Sequence, residues 1–157
     1  MNKHRVIEII CIVFLICFIF VISDDGGYSD KTVKEVVNAV SVEIDMEDLT
    51  SHNKNKVKQE FAIDFTGIKS FAYYASESIM NVNELLIIKL EEGVKADSIM
   101  EQIESRVKEK QILFEGYAPE QSALLKNYQL TSVNGFVFYA VGSDNTDALM
   151  AFIEAVR

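Results

Sequence analysis

Beyond residue 23 the chain contains no cysteine, because the only two, Cys11 and Cys17, sit inside one apolar run. No disulfide can staple the remaining 134 residues, which must hold together through their own core. A chain of that size buries roughly two thirds of its unfolded surface, enough for one self-standing domain. Histidine is nearly as scarce. His52, in the polar stretch SHNKNK, is the only imidazole after residue 23, and a surface position accounts for it better than a Ser-His-Asp or Cys-His device. A structural zinc needs four Cys or His ligands and a catalytic zinc usually three, mostly His; neither set exists here. GxGxxG, a Gly-rich phosphate loop and HExxH are also missing. No catalytic residue, metal ligand or cofactor is therefore assigned.

The apolar run itself lacks small residues. Residues 6 to 22 carry one charge, Glu8, and no alanine or glycine occurs up to Ser23. At about 1.5 Å per residue a helix of this length is at the short end of what spans hydrocarbon. Lys3, His4 and Arg5 precede it and Asp24 and Asp25 follow, so the positive-inside rule keeps the N-terminus cytoplasmic and exports the rest. The expected organisation is a single-pass membrane anchor or signal segment over residues 1–23, a linker over 24–29 and an extracytoplasmic domain over 30–157. The alternative is secretion after cleavage near Ser23, which lacks the small-residue pattern of a signal peptidase site. Lipid attachment would need a cysteine preceded by small residues, whereas Cys11 and Cys17 each follow an isoleucine.

Positive charge is short after the anchor. Setting aside Lys3, Arg5 and Glu8 leaves 13 basic and 23 acidic residues. That excess repels nucleic acid and anionic wall polymers, and in the simplest reading keeps an exposed surface soluble. The acidic patch Glu43, Asp45, Glu47 and Asp48 lacks the glycine and spacing of a calcium loop and reads as a solvated turn. With 23 acids some carboxylates must be neighbours, so pairing carries no signal without geometry.

What is present is a clear alternation of periods. Val33, Val36, Val37 and Val40 predict an amphipathic helix over residues 30–42, capped by Ser29 or Asp30. Residues 53–61 suggest a second, short helix. Residues 69–76 alternate as a strand, and Glu84 to Leu90 (ELLIIKL) is a compact β-rich run, giving an antiparallel hairpin. Asp97 caps a long helix with Ile99, Met100, Ile103, Val107 and Phe114 on its dry face. After PEQSALLKN, a helical turn, residues 128–132 and 136–141 are strands joined by Asn134-Gly135, a strong hairpin signal. Asp144 or Thr146 caps a final helix. The expected fold is α+β: an antiparallel four-stranded sheet, two strand-strand-helix units, with helices packed on one face and a membrane helix in front.

One constellation stands out. Arg106, Gln111, Phe114, Tyr117 and Pro119 follow R-x4-Q-x2-F-x2-Y-x-P, and N-x7-G-F-V-F begins at Asn127. Over residues 30–156, most specifically 106–141, the chain resembles the domain of unknown function 4358 family of small exported, often lipid-anchored bacterial proteins. The resemblance implies a surface location and no established activity, so no catalytic residue carries over. The family's lipidation cysteine is missing here. Physically, Arg106 can satisfy the final carbonyls of the helix, favoured there by the dipole, while Gln111 reaches a backbone group of the next loop. Alternatively Arg106, Gln111 and Tyr117 form a ligand pocket, Arg106 holding a carboxylate and Tyr117 forming a wall.

The preferred function is a membrane-tethered extracytoplasmic binding or interaction module of a bacterial cell envelope. It would be held through residues 6–22 and take an envelope protein or glycan on the open face of the sheet. A carboxylate-dependent cell-wall hydrolase and a structural subunit of a membrane complex are the alternatives. The run shows no small-xxx-small spacing for helix pairing, which counts against the last.

Overall fold

The computed structural model describes residues 27–157. The expected anchor over residues 1–23 lies outside the described residues, and within them no helix is long and apolar enough to cross a membrane. The elements run α1 (Val33–Val40), β1 (Thr50–His52), α2 (Lys54–Phe61), β2 (Ile68–Ala75), β3 (Glu84–Leu90), α3 (Asp97–Glu115), α4 (Pro119–Lys126), β4 (Gln129–Val133), β5 (Phe136–Val141) and α5 (Asn145–Val156). The class is α+β, with an entirely antiparallel sheet in the order β1-β2-β3-β5-β4.

Two expectations need correction. The sheet has five strands, not four: β1 pairs with β2, placing His52 opposite Tyr73. Three residues are too few to display a period, so the strand left no pattern. The helices also cover both faces. β3 and β5 are buried along their whole length, which an antiparallel strand with one wet face cannot be. Alternation sends Leu86, Ile88, Val137 and Tyr139 to one face, where α2, α3 and α4 pack. Leu85, Ile87, Phe136 and Phe138 go to the other, under α1 and α5. The two strand-strand-helix units thus send α3 and α5 to opposite sides. Among the described residues, helices pack on both faces of the sheet, so the open face expected for a partner is covered.

Caps also shift. Thr32, rather than Ser29 or Asp30, caps α1: its side chain accepts from the Glu35 N–H while the Glu35 carboxylate accepts from the Thr32 N–H. Asp97 is the first residue of α3, not its cap, and Asp144 caps α5 without a side-chain bond.

The residues expected as tether are partly built into the fold. Ser29 is buried and its N–H donates to the Asn134 carbonyl at 3.0 Å, while the Tyr28 hydroxyl donates to the Leu90 carbonyl at 2.9 Å. The Lys89 ammonium is stacked 5.1 Å from the Tyr28 ring and 5.2 Å from Phe136, and donates to the Lys31 carbonyl. Both residues of the β4–β5 turn are left-handed, Asn134 at φ 51° and Gly135 at φ 80°, as a two-residue hairpin requires. The chain therefore enters the domain beside Leu90 and Gly135, at one end of the sheet.

Candidate functional site

At the opposite end, a cleft of about 500 Å³ opens between the α2 and α3 helices and the loop of residues 76–83. Its floor is set by strand alternation. Glu84 begins β3 on the same face as Leu86, and Tyr73 and Tyr139 flank Leu86 in register on the neighbouring strands. Both hydroxyls reach diagonally to the Glu84 carboxylate, Tyr139 at 2.7 Å and Tyr73 at 3.0 Å. From above, α3 contributes Arg106 and Lys110, one turn apart, at 2.8 and 3.2 Å from the same carboxylate. Glu84 is 1% exposed and its carboxylate accepts from four donors, Arg106, Lys110 and Tyr139 on Oε1 and Tyr73 on Oε2.

Arg106 joins this floor to α2. Its Nε and one terminal nitrogen donate to Glu60 at 3.3 and 2.9 Å, and its guanidinium lies 4.2 Å from the centre of the Phe61 ring. Lys56, one turn before Glu60, pairs with it at 2.8 Å. Phe61 meets Tyr73 and Tyr139 edge-on, at 5.3 and 5.9 Å, and fills the space beneath.

Electrostatics follow from that packing. Burial pushes the Glu84 carboxyl up, but Arg106, Lys110 and the hydrogen bonds pull it further down, to about 2. Burial opposes the charge on Arg106, and Glu84 more than restores it, raising its affinity for its proton. Desolvation, then the Glu84 charge, raises both tyrosine hydroxyls, which stay protonated as donors. Glu60 is also lowered, its desolvation outweighed by Lys56 and Arg106.

The three residues expected to form one pocket do not converge. Arg106 lines the cleft, but it binds the protein's own carboxylates and sits mid-helix, so it caps no carbonyl. The Gln111 side chain donates to the Leu125 carbonyl at 2.8 Å, tying α3 to α4. Tyr117 is exposed, tilted 5.2 Å from Phe114, and is not part of the cleft wall; Phe114 is. His52, read as a surface histidine, is half-buried, 5.5 Å from the Tyr73 ring, and its buried Nε2 has no partner among the described residues. Glu84, Glu60, Tyr73 and Tyr139 were not singled out by sequence reasoning. Two signals pointed to them: a carboxylate opening the apolar run ELLIIKL, and an arginine on the dry stripe of α3.

The arrangement is a neutralised floor with a polar mouth. It offers N–H donors from Lys56, Arg106 and Lys110 on the helix side and hydroxyl and carboxylate groups from residues 76–78 on the loop side. Among the described residues no group of three His, Cys, Asp or Glu is arranged to hold a metal.

No curated protein and no solved structure matches the chain. A family model does, over residues 42–142, a span that includes every residue lining the cleft. The chain belongs to the family described as domain of unknown function (DUF4358).

Proposed function

We propose that the protein is a membrane-tethered extracytoplasmic binding module of a bacterial cell envelope, and that its partner enters the cleft over Glu84. The address rests on residues 6–22 and the cations before them. The binding reading rests on one observation: an ion network centred on the buried Glu84 and Arg106 forms the floor of a cleft of about 500 Å³. Such a network adds little stability compared with apolar packing, which makes a site requirement the better account of its position. Orientation supports the same reading. The seven residues of β3 separate the cleft from the chain entry at Tyr28 by roughly 20 Å, at about 3.3 Å per residue. A module held at Tyr28 presents its cleft away from the bilayer.

The hydrolase reading is weaker. A glycosidase-type pair needs one carboxyl raised to serve as acid, and burial with cationic partners lowers both Glu60 and Glu84.

The test is site-specific photocrosslinking in living cells, with a benzophenone side chain at Ser78 on the cleft rim or at exposed Val42 as control. A discrete adduct from Ser78 alone, lost on Lys110→Glu, is the expected result. Equal adducts from both positions, or none from Ser78, would contradict the reading.

A further inference from the structure

The hydrogen-bonding capacity left in the cleft specifies a ligand chemistry. The Glu84 carboxylate already accepts from four donors, and each Glu60 oxygen has a cationic partner, one in Lys56 and the other in Arg106. What the helix side adds beyond these pairs is N–H donors. Of the five N–H groups of a guanidinium, Arg106 uses three; of the three on an ammonium, Lys110 uses one. Donors of this kind, partly desolvated, select an anionic acceptor. The lining cations Lys56, Arg106 and Lys110 are matched by the carboxylates Glu60, Glu77 and Glu84, with His52 and Tyr73 as the other titratable groups. Overall balance favours a monoanion over a phosphate dianion.

The opposite wall asks for something different. Ser76, Glu77 and Ser78 present a carboxylate and two hydroxyls; each hydroxyl accepts one backbone N–H of its own loop and keeps one acceptor position for a further N–H. Above them Ile79 is 88% exposed and Met80 51%, and Ile79 shares the cleft with Phe114. An exposed isoleucine and methionine at a loop tip, with an aromatic in the same cleft lining, form an apolar seat. On the tethered reading a membrane would not cover it, because the chain enters the fold beside Leu90 and Gly135, at the far end of the sheet. A glycan is not favoured either, since the aromatic beneath, Tyr73, is buried with its hydroxyl committed to Glu84.

Resting on the binding-module reading, we propose that the cleft receives the C-terminal end of a peptide whose last residue is apolar. Arg106 and Lys110 hold the terminal carboxylate, residues 76–78 accept the backbone N–H groups, and Ile79 and Phe114 seat the last side chain. The volume, about 500 Å³, falls within the range typical of ligand sites.

Calorimetric titration of the full-length chain in detergent tests this, with N-acetyl-Ala-Leu as free acid, its C-terminal amide, free leucine and inorganic phosphate as probes. The acid is expected to bind at one site at least tenfold more tightly than the other three. Lys110→Gln should weaken the acid roughly tenfold, by loss of one charge-assisted bond, and leave the amide unchanged. Ile79→Ser, at a position 88% exposed, should weaken acid and amide alike without altering the melting temperature. No binding of the acid, equal binding of the amide, phosphate or free leucine, or an indifferent Lys110→Gln would each overturn the assignment. If the Ser78 crosslink persists while the acid fails, the ligand class is wrong and the binding-module reading stands.

Discussion

At the residue scale the chain is organised by one carboxylate. Removing the charge of Glu84 while keeping its shape leaves Arg106 and Lys110 facing a neutral amide in a buried site. Unpairing a buried ion in this way costs roughly 3–5 kcal/mol. Glu84→Gln should therefore lower the unfolding free energy from urea titration by about that amount, whereas a loss below about 1 kcal/mol would mean the network is inert. The same carboxylate fixes an acid response. Its folded value, about 2, lies below the ordinary 4.5, so between these pH values the unfolded chain binds more protons. Stability is complete above pH 4.5, falls as pH drops through this window, and Glu60, also lowered, adds in the same direction. Melting temperatures measured from pH 6 to pH 2 should show the fall in the natural chain and a flatter profile in Glu84→Gln. Little of this was legible beforehand. Arg106 was recognisable as unusual from its spacing, but its partners lie 22 and 46 positions away, and no local pattern links them.

At the scale of elements, local signals served well where a period or a turn dictated the outcome. ELLIIKL and FVFYAV became β3 and β5 with the expected limits, and Asn134-Gly135 made the expected hairpin. The error lay in reading these runs as one-faced. A strand apolar at every position has no wet side, and a second layer of helices was implicit in that. The short edge strand β1 was not readable, because its pairing with β2 is decided by long-range register. The β4–β5 turn carries a sharper expectation. A Cβ at Gly135 would stand 2.7 Å from the Tyr28 ring and occupy a left-handed φ of 80°. Gly135→Ala should destabilise by about 1–3 kcal/mol in urea titration. Adding Tyr28→Ala should then cost less than Tyr28→Ala does alone, because the clash is gone; strict additivity would show that Tyr28 does not dock there.

At the scale of the whole molecule, the sheet is a spacer with different ends. One end receives the chain through Tyr28 and Ser29, and the other holds the cleft between α2, α3 and residues 76–83. Neither end could be placed from the sequence, because strand order was not readable and the site residues come from five separate elements. Combined with the orientation expected from residues 3–25, this polarity gives the proposal its geometry, in which the cleft would face outward, beyond the membrane. Exposed Ser78 sits on its rim, and the chain's only cysteines are Cys11 and Cys17. Labelling of a Ser78→Cys chain by a membrane-impermeant maleimide in intact cells, against the natural chain as control, is the most direct measurement. Modification before lysis, at a level unchanged by lysis, is the expected result; modification only after the cells are broken would contradict the account.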